Sequence, residues 1–407
     1  MSTIKTAIAV SDLHLGVPDS YLHSKDANYS KNMAAVRKLL QKLGPQDEFI
    51  LNGDFLDLAV GSLDLVYADA KQFFKLLSES GPYKRIVFIP GNHDHHYWRA
   101  LGEKACIDGR LSQDQLPPGH FEYSCRFVDA RYSSKDSELP FRLLLSYAWP
   151  NETKMPEIVV KYPHHLVKVD LGNNTKAHYL VTHSHFLENR FKVADYVIES
   201  AHLEELEAFN NFWLETFNYY WGHAGRFSDK VRSIEEGYRK DEDEARRIVK
   251  EVLDGVYLNV VKKFNLCWPK TWLLKWILKL VVNNISLEDT TKLRGTAVDE
   301  KLKQAIQDYI DKYILKRYRK GNAEKYGFPS DSDIPTPFTF VFGHTHRPIH
   351  NEDLPDTKLD IDGKTFPLAN TGGWLRSDSQ TPRGEYAGVL LIDKKGVNWT
   401  SLEDQLA

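Results

Sequence analysis

Thr6-Ala-Ile-Ala-Val-Ser-Asp12-Leu-His14, Glu48-Phe-Ile-Leu-Asn-Gly-Asp54-Phe-Leu-Asp57 and Arg85-Ile-Val-Phe-Ile-Pro-Gly-Asn92-His93-Asp94 share one design: a short apolar run that ends in aspartate, asparagine or histidine. Runs of this length, bounded by polar residues, read as buried strands. Between them, residues 32–43 and 64–80 have helical spacing, and Gly44 and Gly81 supply stop signals. This alternation is a β-α-β-α-β unit and predicts a parallel sheet. Further along, residues 141–147, 177–182, 338–342 and 386–392 read as additional strands.

From residue 186 to about residue 326 the texture changes to charged and aromatic stretches with helical periodicity, such as 231–264 and 298–318. The strand pattern resumes after Pro335. The expected organisation is therefore a sheet core over 1–185 and 335–407, interrupted by an all-helical insertion over 186–334, a connection far longer than ordinary loops and of the size that carries function.

Histidines and carboxylates gather at the carboxyl ends of the strands: Asp12 and His14, Asp54 and Asp57, Asn92 with His93 and Asp94, His183 and His185, and His344 and His346. In open α/β sheets such ends converge on one crevice, so five separated segments can deliver ligands to one place. Gly53, Gly91 and Gly343 each precede such a residue, where a sharp turn would project the next side chain inward. One Asp-x-His after a strand is more often an N-cap or surface turn, and Gly-Asp is ordinary turn chemistry. Five such segments at five strand ends favour a metal site. Carboxylates mixed with imidazoles suit manganese, iron or zinc better than calcium, which takes oxygen ligands.

The set Asp12-Leu-His14, Gly53-Asp54-Phe-Leu-Asp57, Gly91-Asn92-His93-Asp94, Thr182-His183-Ser-His185 and Gly343-His344-Thr-His346 resembles the five-part signature of calcineurin-like metallophosphoesterases. Asn370-Thr-Gly-Gly-Trp374 is similar to the turn these proteins place after their last metal histidine. The resemblance implies an α/β sandwich of two mixed β-sheets flanked by helices. It also implies a phosphodiesterase, pyrophosphatase or phosphomonoesterase that uses two divalent ions and the attack of a metal-bridging hydroxide. Carried over by position, Asp12, His14, Asp54 and His346 would hold one metal, and Asp54, Asn92, His183 and His344 the other. Asp54 would bridge, one cation on each oxygen, with manganese first and iron or zinc as alternatives. His93 would protonate the leaving oxygen or steady the phosphoryl charge, and Asp57 would fix its tautomer. Asn92, His185 and Arg347 are candidate substrate contacts. Many relatives have glycine where this chain has Ser184, and His185 offers a rival ligand to His183.

Composition narrows the rest. Three cysteines in no paired spacing exclude a disulfide framework or cysteine-built zinc site. They fit a reducing compartment, and an amino terminus too short and polar for a signal peptide leads to a cytoplasmic expectation. Residues 226–320 hold 22 basic and 15 acidic side chains, a surplus of 7 that leaves the remainder at −10. That remainder lacks the basic surface a nuclease needs, so nucleic acid is the weaker alternative. Within the basic part, Trp268, Trp272 and Trp276 alternate with Lys275 and Lys279, which suits a water–lipid interface, a peripheral membrane contact or a substrate lid. Packing onto the core or a dimer partner is the plainer reading. UDP-diacylglucosamine pyrophosphatases are similar in carrying a helical lid at this point, although they commonly lack a counterpart of His93. The expected substrate is a phosphate ester, with a nucleotide-linked lipid as one candidate. A non-catalytic scaffold of the same fold is the alternative from another class.

Overall fold

The computed structural model describes residues 3–59, 61–97, 100, 107, 111–116, 128–132, 140–150, 153–187, 271–272, 300–311, 336–349, 357–361, 363–376 and 386–405. The expected unit opens the chain as β1 (Ala7–Val10), α1 (Tyr29–Leu43), β2 (Gln46–Asn52), α2 (Leu63–Ser80) and β3 (Tyr83–Ile89). The three strands are parallel, with Ala7 opposite Glu48 and Gln46 opposite Tyr83. They lie within a seven-stranded sheet completed by β4 (Val128–Tyr132), β5 (Glu157–Tyr162), β12 (Gly388–Asp393) and β13 (Gly396–Ser401), in the order β13-β12-β1-β2-β3-β5-β4. Because β12 runs antiparallel to β1, the sheet is mixed.

A second mixed sheet comprises β6 (His164–Gly172), β7 (Thr175–Thr182), β8 (Phe338–Phe342), β10 (Lys358–Ile361) and β11 (Lys364–Thr371), with the two-residue β9 (Pro348–Ile349) on β11. Here β7, β8 and β11 are mutually parallel.

The period-two alternation of strand side chains builds the layers. Ala7 and Ala9 of β1, with Ile50, Val87 and Val159, pack against Val167, Val181, Val341 and Ala369 of the second sheet. Mostly small and β-branched, these residues let the two sheets approach closely. The alternate residues Ile8, Val10, Phe49, Leu51 and Phe88 face the helices and pack on Leu39, Phe73, Phe74 and Leu77. On the far side Leu180, Phe340 and Phe342 are covered by Phe186, Ile306, Tyr309 and Ile310, three of them on or just past α4 (Glu300–Asp308). The result is the expected sandwich of two mixed sheets with helices outside.

One expected strand is a helix. Residues 141–147 fall within α3 (Pro140–Ala148), where Phe141, Leu144, Leu145 and Ala148 are buried at helical intervals. A short continuous apolar run does not reveal its own period, and tertiary packing decides it. Phe141 stacks on Phe88 with ring centroids 4.2 Å apart, so this stripe is held by the sheet beneath it. Of the insertion expected over 186–334, only 186–187, 271–272 and 300–311 are described. Trp268, Lys275, Trp276 and Lys279 lie outside the described residues.

Candidate metal centre

The site is assembled from strand ends of both sheets. Asp12 and His14 follow β1, Asp54 and Asp57 follow β2, and Asn92 and His93 follow β3; His183 follows β7, and His344 and His346 follow β8. The backbone turns sharply at these points. Positive φ occurs at Asp12 (56°), His14 (45°), Asp54 (49°), Ser184 (65°), His344 (69°) and His346 (59°). Left-handed backbone costs a non-glycine residue about 1–3 kcal/mol and persists where the surroundings fix it, characteristically at functional sites. Ser184 therefore adopts the conformation that the glycine of many relatives would take freely. Its amide donates to Thr182 Oγ1 at 3.3 Å and its hydroxyl to the His183 carbonyl at 2.6 Å.

Two of the preceding glycines are required by space. A Cβ on Gly53, whose φ is +82°, would lie 2.3 Å from the His183 ring. On Gly91 it would lie 2.3 Å from Asp54 Oδ1. The turns are thus the places where candidate ligand side chains of one segment rest on the backbone of another.

Three overlapping groups result. Asp12, Asp54, His183 and His344 bring one ligand atom each to within 4.8 Å of one another, as do Asp12, His14 and His346, and likewise His14, Asp57 and His93. Asp12 belongs to the first two. Its Oδ1 lies 3.2 Å from His346 Nε2 and 4.0 Å from His183 Nε2. Asp54 Oδ2 lies 3.3 Å from His183 Nε2 and 3.6 Å from His14 Nε2. Its Oδ1 accepts the His93 amide at 2.8 Å. The two oxygens are therefore not equivalent, and Oδ2 is the one that rings of both groups share. Asn92 Oδ1 stands 3.2 Å from His183 Nε2, at the edge of the first group.

Asp57, fully buried, serves two rings. His14 Nδ1 lies 2.9 Å from its Oδ2 and His93 Nδ1 lies 3.1 Å from its Oδ1. Sequence suggested only the His93 contact. On the other side, His183 Nδ1 donates to the Asn52 carbonyl at 2.9 Å, and Asn52 Nδ2 donates to the Thr182 carbonyl at 3.1 Å. Asn52 had no signal in sequence beyond being the last residue of a strand. Asp94 accepts the amides of Gly91, Phe55 and Leu56 at 2.6, 2.8 and 3.3 Å, which pins the β3 turn onto the β2 turn.

Burial by itself would raise every carboxyl here. At Asp12 the His346 and His183 rings outweigh it and hold the group well below the usual range; His183 and His93 do so at Asp54, and His93 and His14 at Asp57. At Asp94 the His183 ring and the backbone amides do not offset burial and the Asp54 charge, which push it up to about 7. For His183, burial opposes the charged form, but Asp54 and Asp12 prevail and raise it to about 9.

His185 is fully buried behind this cluster, its ring centroid 5.5 Å from that of His183 and its Nε2 3.5 Å from Tyr162 Oη. Burial, then the neighbouring imidazoles, hold it well below the ordinary histidine range. Arg347 lies half-buried with its guanidinium 5.5 Å from the centre of the Tyr386 ring. The structure thus gathers Asp12, His14, Asp54, His183, His344 and His346, sets Asn92, Asp57 and His93 against them, and leaves His185 and Arg347 outside the three groups.

A divalent cation fits this donor set. Among the described residues, buried Asp12 Oδ1 and His14 Nε2 have no hydrogen-bond partner, and buried polar atoms ordinarily have one. Anionic oxygens and imidazole nitrogens converging on common points are what first-row divalent ions take.

The family model for calcineurin-like phosphoesterases matches residues 6–224, just over half of the chain. The chain belongs to that family. Calcineurin-like phosphoesterases are generally metal-dependent hydrolases of phosphate esters, in keeping with the clusters just described. His344 and His346 lie beyond the matched span, and the parallel pairing of β8 with β7 carries them to the site. A stretch of 94 residues is 33% identical to the beta-galactosidase BgaH of Haloferax lucentense. That match covers 22% of this chain and 14% of BgaH, too little of either to carry over a named activity.

Proposed function

We propose that this chain hydrolyses a phosphate ester at a pair of divalent metal ions, manganese first with iron or zinc also suited. Asp12, His14, Asp54 and His346 would hold one ion and Asp54, Asn92, His183 and His344 the other. The observation that carries this reading is the placement of two carboxylates, Asp12 and Asp54, each within reach of imidazoles from both groups. A single-ion site needs no such sharing. When bound, two ions would lower the pKa of a water and neutralise phosphate charge.

The chain's own residues supply the remainder. His93 is the member of the Asp57 pair that reaches the surface: its side chain is 21% exposed, against 3% for His14. With Nδ1 turned to Asp57 Oδ1, Nε2 would be the atom that gives a proton to the leaving oxygen. Asp57 holds that tautomer, and the same carboxylate turns Nε2 of His14 toward Asp54. Asn92 and Arg347 are proposed to steady the phosphate. His185, fully buried, would reach it only through His183 or His344.

An amphipathic, anionic substrate such as a nucleotide-linked lipid is the finer proposal, supported by the basic surplus and the tryptophan–lysine alternation between β7 and β8. The test is metal content per chain after loading with manganese, followed by turnover of phosphomonoesters, phosphodiesters, nucleoside-diphosphate lipids and DNA. Two ions with hydrolysis of at least one ester support the proposal. Two ions without turnover of any favour a scaffold, and one ion or none overturns the dinuclear assignment.

A further inference from the structure

Asp12 carries two contacts that do not involve histidine rings. Ser11 Oγ lies 2.5 Å from Asp12 Oδ2, and the His344 amide donates to the same oxygen at 2.9 Å. Ser11 Oγ also touches Thr371 Oγ1 closely and lies 3.1 Å from the Gly372 carbonyl. Ser11 follows β1 in the first sheet, whereas Thr371 ends β11 in the second, and both are fully buried. The hydroxyl pair therefore crosses from sheet to sheet directly behind the site.

The protons on this path can be assigned by elimination. A carboxylate that ligates a cation is an acceptor only, so Ser11 must donate to Asp12 Oδ2. Ser11 has then spent its one proton, and the close contact between the hydroxyls requires Thr371 to donate to Ser11. The other acceptor near Thr371 Oγ1, the Phe342 carbonyl, is farther away at 3.2 Å. Asp12 Oδ2 thus receives two donors, from Ser11 and the His344 amide. Oδ1, with no hydrogen-bond partner among the described residues, is left for the metal.

Space around the pair agrees. A Cβ on Gly343 would lie 2.8 Å from Ser11 Oγ and 3.1 Å from Asp12 Oδ2, so the β8 turn can close on the hydroxyl only without a side chain. The same turn is gripped from β11 by Asn370, whose Nδ2 donates to the Gly343 carbonyl at 3.2 Å and to Thr345 Oγ1 at 3.0 Å.

We infer that the Thr371–Ser11 hydroxyl pair is a positioning device that commits Asp12 Oδ2 to hydrogen bonding and presents Oδ1 alone to the cation, thereby setting the affinity of the Asp12–His14–His346 half of the centre. This rests on the two-ion reading above. Hydrogen-bonding partners behind metal ligands typically contribute 10–100-fold to metal affinity.

The experiment measures manganese bound per chain, by elemental analysis after dialysis against a graded series of free manganese, for the full-length protein and for Ser11→Ala, Thr371→Val and Thr371→Ser. The expected result is two ions in the parent, one of them held about 10–100-fold more weakly in Ser11→Ala and in Thr371→Val, the other unchanged. A double variant, Ser11→Ala with Thr371→Val, should be no weaker than either single one, because both act through one path. Thr371→Ser, which keeps the hydroxyl, should match the parent. Thr371→Val preserves shape, so it decides the matter if Ser11→Ala does not fold. Two equally tight ions in Thr371→Val, or weakening of both ions alike in Thr371→Val and Thr371→Ser, overturns the inference. A parent that holds fewer than two ions defeats the two-ion reading instead.

Discussion

Asp57→Asn tests how one buried carboxylate serves two rings. In the native protein Oδ2 is hydrogen-bonded to His14 Nδ1 at 2.9 Å and Oδ1 makes an ion-pair contact with His93 Nδ1 at 3.1 Å, so each ring nitrogen faces an acceptor oxygen. An asparagine offers one acceptor and one donor. One ring keeps its bond; the other meets an N–H, and relief requires moving its proton to Nε2. At His14 that proton would occupy the nitrogen that faces Asp54 Oδ2 at 3.6 Å, the nitrogen proposed to take metal. At His93 it would leave the ring able to donate but no longer oriented. If the amide faces His14, the manganese concentration for half-maximal activity should rise about 10–100-fold, equivalent to roughly 1.4–2.7 kcal/mol. If it faces His93, turnover at saturating manganese should fall about 10²–10⁴-fold for a poor leaving group. Titrating activity against manganese separates the two, since saturation restores the first loss and not the second. A variant with unchanged manganese dependence and unchanged saturated turnover on an alkyl ester would falsify the idea that Asp57 orients either ring.

Asp54→Asn should leave no pair of tightly held ions, because Oδ2 is the oxygen common to His14 and His183; two ions per chain with near-normal turnover would contradict the bridge. His93→Ala should retain metal and lose about 10²–10⁴-fold in turnover, with a smaller loss for a nitrophenyl ester, whose leaving group needs no proton; equal losses across leaving groups would show that His93 acts only through its charge. Manganese binding should be pH-linked. His183 in the metal-free site is raised to about 9, mainly because Asp54 and Asp12 overcome burial, so at neutral pH a proton must leave before Nε2 can ligate. Its contribution to affinity weakens by about tenfold per pH unit as pH falls below that value, and binding near pH 7 should release about one proton, visible as a binding heat that depends on the buffer.

The central strands were legible because burial on both faces leaves continuous apolar runs, as in Ile50-Leu51 and Val87-Phe88. Phe141-Arg-Leu-Leu-Leu looked the same and is a helix, since its period is fixed by contacts such as Phe88 that no local window contains. The residues gathered at the candidate site were legible for a chemical reason: aspartate and histidine at the end of an apolar run have few other uses when repeated five times. Their supports were not. Ser11, Asn52 and Thr371 are small polar residues of the kind that end many strands, and their roles exist only because the second sheet brings Thr182 and Gly343 alongside. The second contact of Asp57 was hidden similarly. His14 and Asp57 are 43 positions apart, and nothing in either segment marks the pair.

The strain at the site and its electrostatics then have a common explanation. Six left-handed turns together cost several kcal/mol, a large share of a domain's net stability, so something must hold them. Cross-sheet hydrogen bonds do part of this: the His344 amide on Asp12, the His183 ring on the Asn52 carbonyl and the Ser11–Thr371 pair each tie an end of one sheet to an end of the other. Charge does the rest. Asp54 and Asp12 favour the charged form of His183, which in turn offsets two carboxylates that burial alone would disfavour. A divalent ion held there would displace that proton and supply the same neutralisation with more charge. These cross-sheet bonds and charges hold the carboxylates and imidazoles together, and the glycines at 53 and 91 remove the side chains that would prevent the strand ends from closing on one another.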